Sequence, residues 1–382
     1  MLRPYKTSPL DHRHVIVKYL VYRIIALLLG FSVALGAAEM AVRVWRPQEV
    51  GPSRFAFDRE LGEIPVPRQK GQRSYPGVYE FNYSNNSQGF RGSREYGPKQ
   101  PGSFRLLLLG DSFTYGIGVN DDQTFACHLE QSLRQHQPAT EVINAGCAGK
   151  GTDYALKLFQ TRGAKLQPEV TVLCFFPNDF QDNARGEYYD LKPRGGLQVK
   201  SLAREGLKAV LFQLPGYNWL ISRSQAANLV KQAMVDYLTA SQASQAAPAS
   251  AGLVVSYSYA GQRYSDDANR QVTEIYAAQL MAAARQAGSQ LVFFYIPVAA
   301  EVEDYRRAQE LSPDEQAIKE IIETRGGTLH SLTPVLAGDP GNLRELYFAE
   351  GHWTSRAHLL AGRYLGNILE PYSKGNKAEA GR

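Results

Sequence analysis

From Arg105 onward the chain alternates short, continuously apolar runs with stretches of helical periodicity, and this alternation restricts its fold more than any other feature. The runs are RLLLLG at 105–110, EVINAG at 141–146, EVTVLCFF at 169–176 and QLVFFYIPV at 290–298. Helical spacing of apolar residues marks TFACHLEQSLRQH at 124–136, DYALKLFQTRGAKL at 153–166, and the stretches 272–287, 313–324 and 355–369. A strand apolar at every position needs cover on both faces, and parallel neighbours need a crossover long enough to hold a helix. The expectation is an α/β fold, three layers in the order α/β/α around a parallel central sheet.

The 382 residues, 44% of them hydrophobic, suffice for a large core. The sheet pattern is expected over 105–180 and 270–372. The first 18 residues are basic, and Arg23 directly precedes IIALLLGFSVALGAA at 24–38. Positive charge before an apolar span marks a cytoplasmic N-terminus and an exported remainder, periplasmic or extracellular. Residues 19–44 are read as an uncleaved transmembrane anchor, with Glu39 tolerable only near its outer end. The rival is a cleaved signal peptide, for which the charged lead is long. Residues 45–104, rich in Pro, Gly, Arg and Tyr, suit a stalk and irregular lead-in, with NNSQGFRG at 85–92 as a structured turn. The insertion 181–269 holds an amphipathic helix around 217–238 and the low-complexity run TASQASQAAPASA. It is either a surface insertion or a lid or substrate-side subdomain, because insertions at strand ends of α/β sheets border the ligand crevice. A tail occupies 373–382.

The net charge of +5 is modest, and no Lys/Arg block interleaves with aromatics, which argues against nucleic-acid binding. Cys127, Cys147 and Cys174 lie among apolar or small residues and read as buried hydrophobes. No group of His, Cys and carboxylates has metal-ligand spacing, so neither a metal nor another cofactor is expected.

Gly110-Asp111-Ser112 ends the first apolar run. By itself it would be a turn, with Asp111 as a structural cap. Three further pieces follow in order at strand ends: NAGCAGKGT at 144–152, FFPNDF at 175–180 and EGHWTSRAH at 350–358. Together the four resemble the SGNH hydrolases, the GDSL-like esterase and acylhydrolase superfamily, over roughly residues 105–370. The resemblance implies a flavodoxin-like sheet and a serine esterase. A hydroxyl is a weak nucleophile at neutral pH and needs a base to take its proton during attack on an ester carbonyl. Ser112 would attack, His352 would be the base, and Glu350 would hold the imidazole. The backbone N–H groups of Ser112 and Gly149 and the side-chain amide of Asn178 are implied as the oxyanion hole. A glycine at 149 lets backbone approach substrate closely.

Two positions depart from the family pattern. Its acid is usually aspartate, one methylene shorter than Glu350. Its third block usually has glycine where this chain has Phe176, followed by Pro177, a change expected to reshape the acyl side of the pocket. Other roles for single residues are a cap at Asn178-Asp179, a surface site for His352 and a thiol nucleophile at Cys147. The last would leave Ser112 without purpose. His330 and His358 are read as structural. Three functions remain open: hydrolysis of acyl esters on a lipid, glycan or small molecule, transfer of the acyl group to a sugar hydroxyl at the same site, and a non-catalytic scaffold.

Overall fold

The computed structural model describes residues 9–192, 196–200, 216–243 and 263–374. Residues 1–8 of the basic lead, most of the low-complexity run and nearly all of the tail lie outside the described residues. Contacts divide the chain into two units, residues 51–219 with 255–382 and residues 1–50 with 220–254.

In the larger unit five strands form one parallel sheet: β1 (Phe104–Gly110), β2 (Thr140–Asn144), β3 (Val170–Phe175), β4 (Gln290–Tyr295) and β5 (Leu329–Ser331). Their order is β5-β4-β3-β1-β2, with Leu108 opposite Asn144, Gly110 opposite Cys174 and Phe175 opposite Tyr295. This is the doubly wound order that reverses direction at β1, so the carboxyl ends of β1 and β3 flank the crevice where such sheets bind ligands.

The run of leucines in β1 shows why every position is apolar. Leu107 and Leu109 enter one core with the helices Thr152–Leu158, Asp267–Gln286 and Pro313–Glu323. Leu106 and Leu108 enter the opposite core with the helices Phe125–Arg134 and Ser355–Ser373. Side chains alternate across a strand, so two covered faces require two apolar sets. All four leucines are fully buried, each stabilising the fold by about 1.5–3 kcal/mol relative to exposure.

The segment expected as a stalk belongs to this unit from Gly51 on. It folds as two antiparallel hairpins, Phe55–Asp58 with Gly62–Pro65 and Lys70–Tyr75 with Tyr79–Ser84. Asp58 makes the first turn by accepting from the amides of Glu60 and Leu61. A hairpin alone is marginal in water. These two are held by packing, since Leu61, Ile64 and Phe90 join the main core and Phe81 and Tyr83 cluster with Tyr115 and Ile117. In the turn at 85–92, Asn86 Oδ1 accepts from the amides of Gln88 and Phe90. The turn directs Arg91 inward, where its guanidinium donates to the carbonyls of Tyr115, Gly116 and Val119.

The core also reaches into the expected insertion at both ends, with Tyr188 and Tyr189 near its start and Tyr264 near its end. The smaller unit contains the single continuous helix Pro9–Trp45 and the helix Gln225–Ala243. Val15–Trp45 is largely exposed and is long and apolar enough to cross a membrane, with a mean hydropathy of 2.1 over an 18-residue window.

Gly110 is the point where β1 must turn without a side chain. A Cβ there would stand 2.7 Å from the Cys174 carbonyl oxygen and would collide with Thr114 Oγ1. Gly110→Ala should therefore destabilise the protein by ~1–3 kcal/mol through overpacking. A thermal melt with an unchanged midpoint would refute this account of the turn.

Candidate active site

β1 delivers Ser112 through a turn that its neighbours close. Asp111 occupies the N-cap position, and its Oδ1 accepts from the Phe113 amide at 2.9 Å. Ser112 begins the single-turn helix Ser112–Tyr115, which ends at Gly116 with φ of +86°. Gly-Asp is thus a turn, and the turn presents a serine.

His352 comes from the loop before the helix Ser355–Ser373. Its Nε2 lies 2.9 Å from Ser112 Oγ, and its Nδ1 lies 2.9 Å from Glu350 Oε1. Glu350 Oε2 also accepts from the His352 backbone amide at 3.2 Å. Between the two residues Gly351 has φ of +103°, a conformation that favours glycine and curls the carboxylate back onto the imidazole. The extra methylene of glutamate is accommodated in this way. The loop is closed by bonds from Phe348 N to His352 O and from Thr354 N to Leu346 O.

Beneath the loop an aromatic group fixes the imidazole plane. Phe113 stacks on Phe176 at 4.3 Å between centroids, lies 5.0 Å from the His352 ring and meets Trp353 edge-on at 5.3 Å. Phe176 is buried in the same core as Phe113. The departure at 176 therefore supports the site from below, where the sequence led to the expectation of an altered acyl pocket. Strand alternation past Phe175 turns this side chain to the Phe113 face.

Gly149 and Asn178 follow the neighbouring strands. The Cys147 amide donates to the Gly110 carbonyl at 2.9 Å, which ties the segment after β2 to the end of β1. Gly149 has φ of +71°, and a Cβ on it would meet nothing within 4 Å, so it faces open space. Asn178 holds the N-cap position of the helix Asp179–Ala184, but its side chain makes no cap bond. Its Oδ1 is buried and has no partner among the described residues. The capping role considered for it is not performed.

The remaining histidines and thiols lie away from this chemistry. His358 is buried, accepts from the Phe125 amide at 3.2 Å, and burial pushes its pKa down to about 3. His330 sits in β5 opposite Phe294. Cys147 is fully buried, and burial pushes its thiol up to about 12, which removes it as a nucleophile. Two further features have no counterpart in the sequence motifs. Arg54, Phe55, Arg73 and Tyr83 from the hairpin region line a narrow cleft with Tyr115 and Ala148, beside Gly149. Asp111, Asp153, Asp179 and Asp182 are all buried, and burial raises each carboxyl, Asp111 to about 6 and Asp153 to about 7.

The GDSL-like lipase/acylhydrolase family matches residues 108–360 of the chain. No curated protein matches it. Solved structures that resemble it include a two-domain esterase active on acetylated mannans, at 10% identity over 72% of this chain and 50% of that one, with a TM-score of 0.40. This chain spans half the length of that esterase. A lipase/acylhydrolase from Enterococcus faecalis resembles it at 14% identity over 70% and 96% of the two chains, with a TM-score of 0.37. An acetylxylan esterase from Geobacillus stearothermophilus, solved as a catalytic mutant, does so at 9% identity over 71% and 96%, with a TM-score of 0.39. With the family matched over more than half its length, the chain belongs to the GDSL-like lipase/acylhydrolase family and is an SGNH-type serine esterase.

Proposed function

We propose that this protein is a membrane-anchored esterase, with its N-terminus cytoplasmic and its hydrolase unit outside the cytoplasm. It removes acyl groups from a lipid, glycan or small ester through an acyl-enzyme on Ser112. The observation that carries the reading is the continuous relay from Ser112 Oγ through His352 to Glu350, each step 2.9 Å.

In this mechanism Ser112 Oγ bonds to the ester carbonyl carbon while its proton passes to His352 Nε2 and the carbonyl π electrons move onto oxygen. Glu350 keeps Nδ1 protonated and stabilises the imidazolium. The oxyanion is held by the amides of Ser112 and Gly149 and by the Asn178 side chain, groups that need no reorganisation when charge develops. Collapse expels the alcohol, which takes the proton from Nε2. Water then attacks the acyl-enzyme, gives its proton to His352 and releases the acid, and Nε2 returns that proton to Ser112.

A serine-directed phosphonate should label the wild-type protein, leave Ser112→Ala unlabelled and label His352→Ala far more slowly. Equal labelling of wild type and Ser112→Ala would reduce the serine to a turn residue.

Two substitutions separate holding from stabilising. Glu350→Gln removes the charge that holds the imidazole and should lower turnover by about 10² to 10⁴ with little change in KM. Asn178→Ala should lower turnover by about 10² to 10³, the usual cost of one oxyanion donor. Its melting temperature should not fall, because the side chain makes no cap bond. If Asn178→Ala loses stability in step with activity, the residue is a cap after all.

Water is the proposed acceptor. With an activated acetyl ester and an added oligosaccharide, free acetate should remain the main product. Acetylated sugar dominating at modest acceptor concentration would make the protein a transferase.

A further inference from the structure

Glu39 places a carboxylate within the exposed apolar helix Val15–Trp45. An ionised group there is costly unless its lone pairs are satisfied. Glu39 accepts from Ser224 Oγ at 2.7 Å, from the amides of Gln225 and Ala226 at 3.0 Å each, and from Arg43 Nε at 2.8 Å. Ser224 Oγ in turn accepts from the Ala227 amide at 3.0 Å, and the Gln48 amide donates to Gln225 Oε1 at 3.1 Å. The first turn of the helix Gln225–Ala243 is thus capped by a carboxylate far earlier in the chain. Negative charge at a helix N-terminus is favourable, and here it fastens one helix to another.

Ala226, Leu229, Val230, Ala233 and Met234 recur at helical spacing, with Asn228, Lys231 and Gln232 on the other side. Part of the apolar stripe is uncovered, with Val230 66% and Met234 45% exposed, and Leu220 just before the helix is 44% exposed. The stripe lies on a helix whose start is bonded to Glu39 of the exposed apolar helix. Near the junction Trp45, Arg43, Arg46 and Arg223 are exposed, the residue types that settle at the headgroup level of a bilayer.

We propose that Leu220–Met234 forms a membrane-surface element, its apolar stripe in the outer leaflet and its N-terminus docked on Glu39. The partner is the lipid interface. The inference rests on reading Pro9–Trp45 as an anchor, and it assigns the middle of the insertion to lipid contact.

The test uses nitroxide labels on the full-length chain in phospholipid vesicles, in a Cys127→Ser background that leaves only the buried Cys147 and Cys174. Labels at Val230→Cys and Met234→Cys should collide with oxygen in preference to a water-soluble nickel chelate, with a several-fold higher ratio than a label at Lys231→Cys on the polar face. Adding Glu39→Ala should bring the Val230→Cys label down to the Lys231→Cys ratio, while phosphonate labelling of Ser112 reports that the hydrolase unit is intact. Equal ratios at 230 and 231 would overturn the proposal. So would a 230 label shielded from both reagents, which would mean that a second protein copy covers the face. A ratio at 230 unmoved by Glu39→Ala would overturn the docking. Extraction of the chain by alkaline carbonate would refute the anchor itself, and this inference with it, whereas a retained anchor with equal ratios refutes the inference alone.

Discussion

The contact between Ser112 Oγ and His352 Nε2 joins residues 240 positions apart, and most of the larger unit serves to hold it. Ser112 is fixed by β1, which is buried on both faces. His352 is fixed by a closed loop whose next residue, Trp353, is buried against Phe113 and Phe125. The two ends share Phe113, the residue that follows Ser112 and also faces the His352 ring. Displacing reacting groups by about 1 Å can cost on the order of a hundredfold in rate. A site assembled from opposite ends of a chain thus depends on the core beneath it as much as on its own hydrogen bonds.

This dependence gives meaning to the two departures from the family pattern. Phe176 fills the space under the site and stacks on Phe113, so its bulk adds rigidity where a glycine would add none. Glu350 reaches the imidazole because Gly351 permits a left-handed turn, and its second oxygen holds the His352 amide as well. Glutamate here fastens both the ring and the backbone of the residue it orients. Neither compensation is visible one residue at a time, since each lies in a contact with a third residue.

What could be read from the sequence follows from how local the signal is. The leucines of β1 announce a strand covered on both faces, and the helices Phe125–Arg134 and Ser355–Ser373 show their apolar stripes directly. The resemblance of the four motifs to the SGNH hydrolases pairs Glu350 with His352 before any fold is known. By contrast, β5 is three residues long and contains a histidine and a serine, so no apolar run marks it. The hairpins between Phe55 and Ser84 are short and mix aromatic with charged residues, and they are stabilised by the core they cover. Their composition resembles that of a stalk because the information that folds them lies elsewhere in the chain. Glu39 is the same case, a residue awkward in its own helix until the partner 185 positions later is known.

The buried carboxyls around the serine turn add an electrostatic constraint. Burial raises Asp111 from 3.8 to about 6 and Asp153 to about 7, so the folded state favours their protonated forms. A carboxyl whose folded pKa is raised contributes stability that is fully present below its unfolded pKa and is lost as pH rises through the folded value. For these two residues the loss falls between about pH 4 and pH 7. Asp111 caps the turn through Oδ1, its Oδ2 is 3.4 Å from Ser112 Oγ, and positive charge on His352 draws it toward the ionised form against its burial. In the proposed reaction His352 takes the serine proton, and the imidazolium so formed makes an anionic Asp111 less costly. The acid that shapes the turn is thus coupled, through its charge, to the residue proposed as the base.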